Sequence, residues 1–463
     1  MRNRFKQMSL SDIYRNVETD LEQDKPKLFG LLDQHIDWGK IIPSAFYKAF
    51  YQRLGRSRRF ELESFLRALF LQRVFHYIED SQLLNTLRFC REMRDFCGFD
   101  KVPDASKLTR FKQSFCGHIR SVFERLVDLT EPVCREMDEA LADLLVFDST
   151  GIESYVAENN PKFPRTKAGE PFDYSGTAAS NPQVKYQFIN GHMCYAKRAA
   201  VVANGLGIVR RLELLDEDFR RRHPEIPREP RTSSPEIDKE IYDSIALKPV
   251  LQDLKSAHPN LHYSAFAGDA AFDKYDNYTF LLKNYGFNKA VIPLNPRNSS
   301  NSGNQDFNEN GAPLCPSDGT PFLFHSKSGG KRRSLRLKYV CPKTQVLRLE
   351  SSGMTRRCFC NNPCSESKYG KCVYIYPNKN LRLYPGLSRD SQEFETICNH
   401  RTSVERTINT LKHTLGIQGR KTSNELTTKA DLFLAGIVQL LCVLLAAKMR
   451  DFKLARRPRK LIA

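Results

Sequence analysis

The spacing of apolar residues changes character near residue 140, and this limits the chain to a helical first part followed by a sheet-containing one. In Glu61–Tyr77, Leu62, Phe65, Leu66, Leu69, Phe70 and Val74 recur at three- and four-residue intervals, which is one face of a helix. Beyond Leu141 the pattern shortens. Leu141–Thr150 (LADLLVFDST), His192–Asn204 and Gly207–Leu214 read as strands rich in β-formers. A Pro- and Ser-rich loop at His223–Ile237 precedes a helix of about Asp238–Ser256, and a strand at Leu261–Gly268 leads into Asp269. Two strands are thus expected to end in aspartate, Asp148 and Asp269, within a mixed α/β domain.

The polar tract Asn298–Gly311 marks a long loop or domain edge, and residues 312 to about 387 form a strand-rich insert holding six cysteines. The expected division is 1–140 as an N-terminal helical DNA-binding domain, 141–296 as the first part of the α/β domain, 297–387 as the insertion, 388–449 as its C-terminal helices and 450–463 as a basic tail. Leu432–Ala447 is sixteen residues long and interrupted by Gln439. A spanning helix needs roughly 20 apolar residues, so a buried core helix is expected and no membrane partner. Met1–Leu10 lacks the apolar core of a secretory signal, which favours a cytoplasmic placement.

Charge narrows the partner. Seventy-two Lys and Arg against 53 Asp and Glu leave +19, and such a surface attracts polyanions through phosphate contacts and counterion release. Arg56, Arg58, Arg59, Arg67, Arg73, Arg88, Arg91 and Arg94 offer a DNA-facing surface on the first helices, and the tail Arg450–Lys460 offers another. Thirteen cysteines at irregular spacing in a large chain argue against a secreted disulfide framework. Thiolates of Cys315, Cys341, Cys360 and Cys364 are a candidate structural zinc set, although no C-x2-C pair is present; cysteines outside the insert sit in apolar contexts that suit packing.

A helix is expected over Ser391–Leu415, opened by an Asp390/Glu393 capping box and stopped at Gly416. Val404, Ile408, Leu411 and Leu415 make its buried stripe. At 100° per residue Arg401, Glu405 and Lys412 fall within about 40° of one another. Alone, Arg401 and Glu405 read as an ordinary i, i+4 ion pair. Taken with the two aspartates, Glu405 completes a set of carboxylates able to hold two divalent ions for in-line phosphoryl transfer, and hard oxygen ligands suit Mg²⁺ or Mn²⁺. Ser149 and Thr150 have no recognisable Ser-His-Asp partners, and Asp273 reads as a helix cap.

Phe147-Asp148-Ser149-Thr150, Gly268-Asp269-Ala270-Ala271-Phe272-Asp273 and His400-Arg401-Thr402-Ser403-Val404-Glu405-Arg406, with Leu411-Lys412, resemble the three motifs of insertion-sequence DDE transposases. Val102–Phe111 (VPDASKLTRF) is similar to a stretch of their N-terminal helical domain. The resemblance implies a ribonuclease-H-like core with Asp148 on its first strand, Asp269 after its fourth and Glu405 on a late helix, all three ligating two Mg²⁺ or Mn²⁺. It also implies that Arg401, Arg406 and Lys412 hold DNA phosphates. The expected activity is cleavage at the terminal inverted repeats of a bacterial element and strand transfer to target DNA, by a homodimer on paired ends near the nucleoid. Two alternatives stand beside it: a metal-dependent nuclease without strand transfer, and an inactive DNA-binding descendant. The chain departs from the family's Tyr-Arg-Glu-Lys signature at Cys398, where the tyrosine falls. The one tryptophan, Trp38, lies outside the insert, leaving Phe359 or Tyr339 as candidate base-stacking platforms.

Overall fold

The computed structural model describes residues 9–11, 14–15, 27–51, 57–160, 162–163, 166–167, 170–171, 177–189, 191–228, 241–295, 307–330, 333–349 and 353–461. They fall into two compact units: Met1–Met137, Ile152–Phe163 and Asn409–Ala463 in one, Asp138–Gly151 and Pro164–Ile408 in the other.

The first unit is helical. Its centre is the 25-residue helix Glu425–Met449, packed by Leu62–Val74, Ala105–Ser114 and Cys116–Met137. By length and composition this helix could cross a membrane, but its most apolar window is 89% buried within the fold. Neighbours on several sides explain why it is apolar all round. One charged cluster interrupts the apolar packing. Asp431 of the central helix pairs with Arg73, Lys112 and Arg420, and Asp80 takes Lys112 at 3.1 Å and Arg420 at 2.9 Å. Arg73 is therefore a buried structural cation, not part of a DNA-facing surface; Arg56 lies outside the described residues. The C-terminal basic stretch is also no loose tail. Phe452–Leu454 and Pro458–Leu461 form short turns against the central helix, and Ala455 is fully buried.

The second unit is built on a mixed sheet. Its main strands are β1 (Leu144–Glu153), β2 (Asn181–Ile189), β3 (His192–Asn204), β4 (Val209–Leu214), β5 (Ala265–Ala267) and β6 (Lys289–Val291). The order is β2-β3-β1-β5-β6, with Thr177–Ala178 outside β2 and β4 also pairing with β3. β2, β3 and β4 form antiparallel pairs, whereas β1, β5 and β6 run parallel. Parallel neighbours require a crossover, supplied between β4 and β5 by the helix Asp243–Ala257. Its Leu247, Val250, Leu251 and Leu254 pack on Leu145, Phe147, Val202 and Phe266 of the sheet.

Several element boundaries differ from those read in the sequence. β1 continues through Asp148 to Glu153, and β5 is only three residues long. The crossover helix begins at Asp243, five residues later than expected. The expected Ser391–Leu415 helix is in three pieces: Gln392–Asn399, Thr402–Asn409 and a widened π turn at Thr410–Thr414. The first break comes where the amides of His400 and Arg401 tighten to i−3 carbonyls, on Ile397 and Cys398. Its N-cap is Ser391, whose hydroxyl accepts from Phe394 N–H; the Asp390 carboxylate is taken by Ser388. The stretch 388–449, expected as one run of helices, is divided between the two units after Ile408.

The insertion contributes β7 (Leu323–Gly330), β8 (Arg333–Val340) and β11 (Cys372–Ile375) as a three-stranded sheet, and β9 (Thr344–Leu349) with β10 (Gly353–Cys358) as a hairpin. It is anchored where it rejoins the sheet. Arg382 forks onto the fully buried Asp273 at 2.7–3.1 Å, and Tyr278 and the Asn295 amide donate to the same carboxylate. Asp273 is thus an anchor for the insertion rather than a helix cap.

Candidate active site

β1 places two polar residues on opposite faces of the sheet. Leu145 and Phe147 point to the crossover helix, so by the two-residue period of a strand Ser149 faces that helix too and Asp148 faces away. Ser149 consequently donates its hydroxyl to Asp243, the first residue of the helix, and Arg198 of β3 pairs with the same Asp243 oxygen at 3.1 Å. Asp148 accepts the Ser149 N–H at 2.8 Å.

Asp269 follows the end of β5 at the next residue but one. It caps a short turn by accepting Ala271 N–H at 2.9 Å. Glu405 lies on Thr402–Asn409, which docks through buried hydroxyls: Thr407 donates to Gly207 O at 2.8 Å and Ser403 to Asn204 O at 3.3 Å. These contacts fix the helix on the β3–β4 turn. Glu405 stays half exposed, paired with Arg401 at 3.4 Å.

The acids feel one another. Burial first, then the charge of Asp243, and further those of Asp269 and Glu405, push the Asp148 carboxyl up to about 7, against the opposing Ser149 N–H. Asp269 is also raised, mainly by burial, with Asp243 and Glu405 adding to the rise and Arg401 opposing it. Crowded carboxylates that resist ionisation form a site whose missing counter-charge a divalent cation can supply, and an all-oxygen donor set fits Mg²⁺ or Mn²⁺.

Asp148, Asp269, Glu405 and Arg401 are therefore brought into electrostatic range of each other within one unit. Arg406 is exposed on the Glu405 helix, whereas Lys412 is 5% exposed in the π turn and not open to a phosphate. Sequence reading missed Asp243. The signal was a strand polar residue, Ser149, on the helix-facing side, but using it requires knowing which helix covers β1.

In the insertion, Cys315, Cys341 and Cys364 gather with Cys358, while the Cys360 thiol turns to Asn362 O and Lys343. Tyr339 is buried at 6% exposure and cannot serve as a stacking platform; Phe359 is exposed. In the helical unit, a cleft of ≈ 780 Å³ is lined by Arg58, Arg59, Lys101 and Lys107 around Phe60 and Pro103. Residues of the Val102–Phe111 motif thus form one of its walls, and Asp104 caps their helix by accepting Lys107 N–H at 3.1 Å.

Residues 17–114 match the family described as "Transposase domain (DUF772)". No curated protein matches the chain. Among solved structures, the piggyBac transposase synaptic complex with hairpin DNA is similar at 12% identity, over 94% of this chain and 78% of that one, with a TM-score of 0.37. That likeness is too distant to bear on fold or activity. Over residues 17–114 the chain is similar to a transposase domain.

Proposed function

We propose that the protein is a DDE-type DNA transposase that cuts at the terminal inverted repeats of its element and joins the freed 3′ ends to target DNA. The observation that carries this reading is the electrostatic coupling of Asp148 on β1 with Asp269 just after β5 and Glu405 on a late helix: burial first, then Asp243, with Asp269 and Glu405 adding to them, raise Asp148. The match of residues 17–114 to a transposase domain supports the same reading. So does the sheet order: antiparallel β4, β3 and β2, parallel β1, β5 and β6, an acid on the central strand and an acid just after its parallel neighbour agree with a ribonuclease-H-like core.

In this reading Asp148, Asp269 and Glu405 hold two Mg²⁺ or Mn²⁺ ions, which when bound lower the charge on the reacting phosphate and ionise the attacking hydroxyl. Asp243 and Arg198 keep Ser149 and the adjoining strand in place. Arg401, beside Glu405, neutralises phosphate charge near the acids. The cleft lined by Arg58, Arg59, Lys101 and Lys107 takes the DNA backbone, and the net charge of +19 favours the encounter. A homodimer would hold two ends at once.

The test is incubation of the full chain with DNA carrying the element's two ends and Mg²⁺ or Mn²⁺. Metal-dependent cutting and joining that disappears in Glu405→Gln is expected. Cutting without joining would replace the transposase reading by a nuclease, and binding without cutting in either protein would point to an inactive descendant.

A further inference from the structure

Five cysteines of the insertion, Cys315, Cys341, Cys358, Cys360 and Cys364, line one small cavity of ≈ 10 Å³. Local structure delivers them there. Cys315 opens a tight turn in which its amide donates to Thr320 O and Gly319 N–H returns to its carbonyl, both at 2.8 Å. Cys341 follows the last residue of β8, and Cys358 ends β10 opposite Thr344 in the hairpin register. Gly370 closes the back of the cavity at φ +78°. A Cβ built there would lie 3.3 Å from Cys358 Cβ, 3.4 Å from Cys341 Cβ and 2.6 Å from Thr344 Oγ1, so any side chain would wedge the two cysteines apart.

The thiols meet in pairs. Cys341 is in contact with Cys358 and Cys315 with Cys364, and the two pairs sense each other through Cys341. Cys360 is set apart, its sulfur bound to Asn362 O at 3.2 Å and to Lys343 Nζ at 3.6 Å. None of these five cysteines is in a disulfide.

We propose that Cys315, Cys341, Cys358 and Cys364 form a closed tetrathiolate site for one structural Zn²⁺ that organises the insertion. Soft thiolates in a set of four suit tetrahedral zinc, and a site with no open position is structural. The charge of Lys371 acts on Cys364 and offsets part of the net negative charge, and the backbone N–H of Lys343 donates to Cys341. The module needs such a staple. Among the described residues its apolar core has six buried side chains, two of them Cys315 and Cys341, a small core for a sheet and a hairpin. The site does not depend on the phosphoryl-transfer reading.

The experiment uses the full-length protein purified under reducing conditions. About one zinc per chain that survives dialysis against EDTA is expected, released by a mercurial reagent as thiols are consumed. Replacement by Co²⁺ should give the visible absorption of a tetrahedral tetrathiolate centre. Cys360→Ser should retain the metal, whereas Cys358→Ser should weaken zinc binding by at least ~10-fold. Should Cys358→Ser fail to fold, the cobalt spectrum of the unmodified chain decides alone. Substoichiometric zinc from zinc-replete cells, disulfides in the intact mass, a cobalt spectrum without thiolate character, or metal lost on Cys360→Ser but kept on Cys358→Ser would each overturn the proposal.

Discussion

Ser149 donates a hydroxyl hydrogen bond to the carboxylate of Asp243, tying the residue after Asp148 on the central strand to the first turn of the helix that covers the sheet. The contact holds a fourth acid, on the helix-covered side of the strand, close enough to act on Asp148. Asp243 thereby becomes the largest charge acting against ionisation of Asp148, second only to burial.

A carboxyl raised from 3.8 to about 7 on folding makes the metal-free protein less stable as pH climbs through that window, because the native state must give up a proton it holds more tightly than the unfolded chain does. Asp148→Asn removes the penalty. At pH 8 without metal the variant should be more stable by up to about 4 kcal/mol, the gap closing as pH falls from 7 towards 4. Chemical denaturation at several pH values checks this, and Mg²⁺ should narrow the gap at pH 8 by stabilising only the unmodified chain.

Asp243→Asn takes away the nearest like charge while leaving a group able to accept from Ser149. The Asp148 carboxyl should then titrate below about 7, read by NMR of labelled aspartate carboxyls. An unchanged titration would mean that burial, with Asp269 and Glu405, sets the value without Asp243.

Asp431 is buried, which by itself raises its pKa, yet Arg420, Arg73 and Lys112 hold it at about 2. Its stabilising contribution is complete above the ordinary 3.8 and is lost as pH falls through about 2. Asp431→Asn leaves three buried cations with Asp80 as their remaining carboxylate partner and should cost about 3–5 kcal/mol in urea unfolding at pH 7. Denaturation of the variant at the unmodified midpoint would refute this balance.

Much of the sheet was legible because period-two patterning is local: the strand His192–Asn204 was read to the residue, and both strand-borne aspartates lie on or next to strands. What failed depended on partners far away in sequence. Arg73 reads as a solvated cation on an amphipathic helix until Asp431, 358 residues on, is seen beside it. Lys412 was placed near Glu405 by counting 100° per residue along one helix. The chain there winds into a π turn at Thr410–Thr414 in which Lys412 is buried, and the apolar spacing of Val404, Leu411 and Leu415 runs on without signalling it.

For the basic cleft, replacing Arg59 and Lys101 together by Glu should weaken binding of double-stranded DNA at least ~10-fold at about 0.15 M salt and flatten the slope of log K against log salt by about 2. Filter binding over a salt series measures both. An unchanged slope would remove the cleft from the DNA path without touching the acidic site.

The central claim is that Asp148, Asp269 and Glu405 share divalent ions. Crystals of the protein soaked in Mn²⁺ and measured at the manganese edge address it directly. One or two anomalous peaks within about 2–2.5 Å of carboxylate oxygens from all three residues are predicted. Manganese bound elsewhere, or absent from these carboxylates in a protein that still cuts DNA, would contradict it.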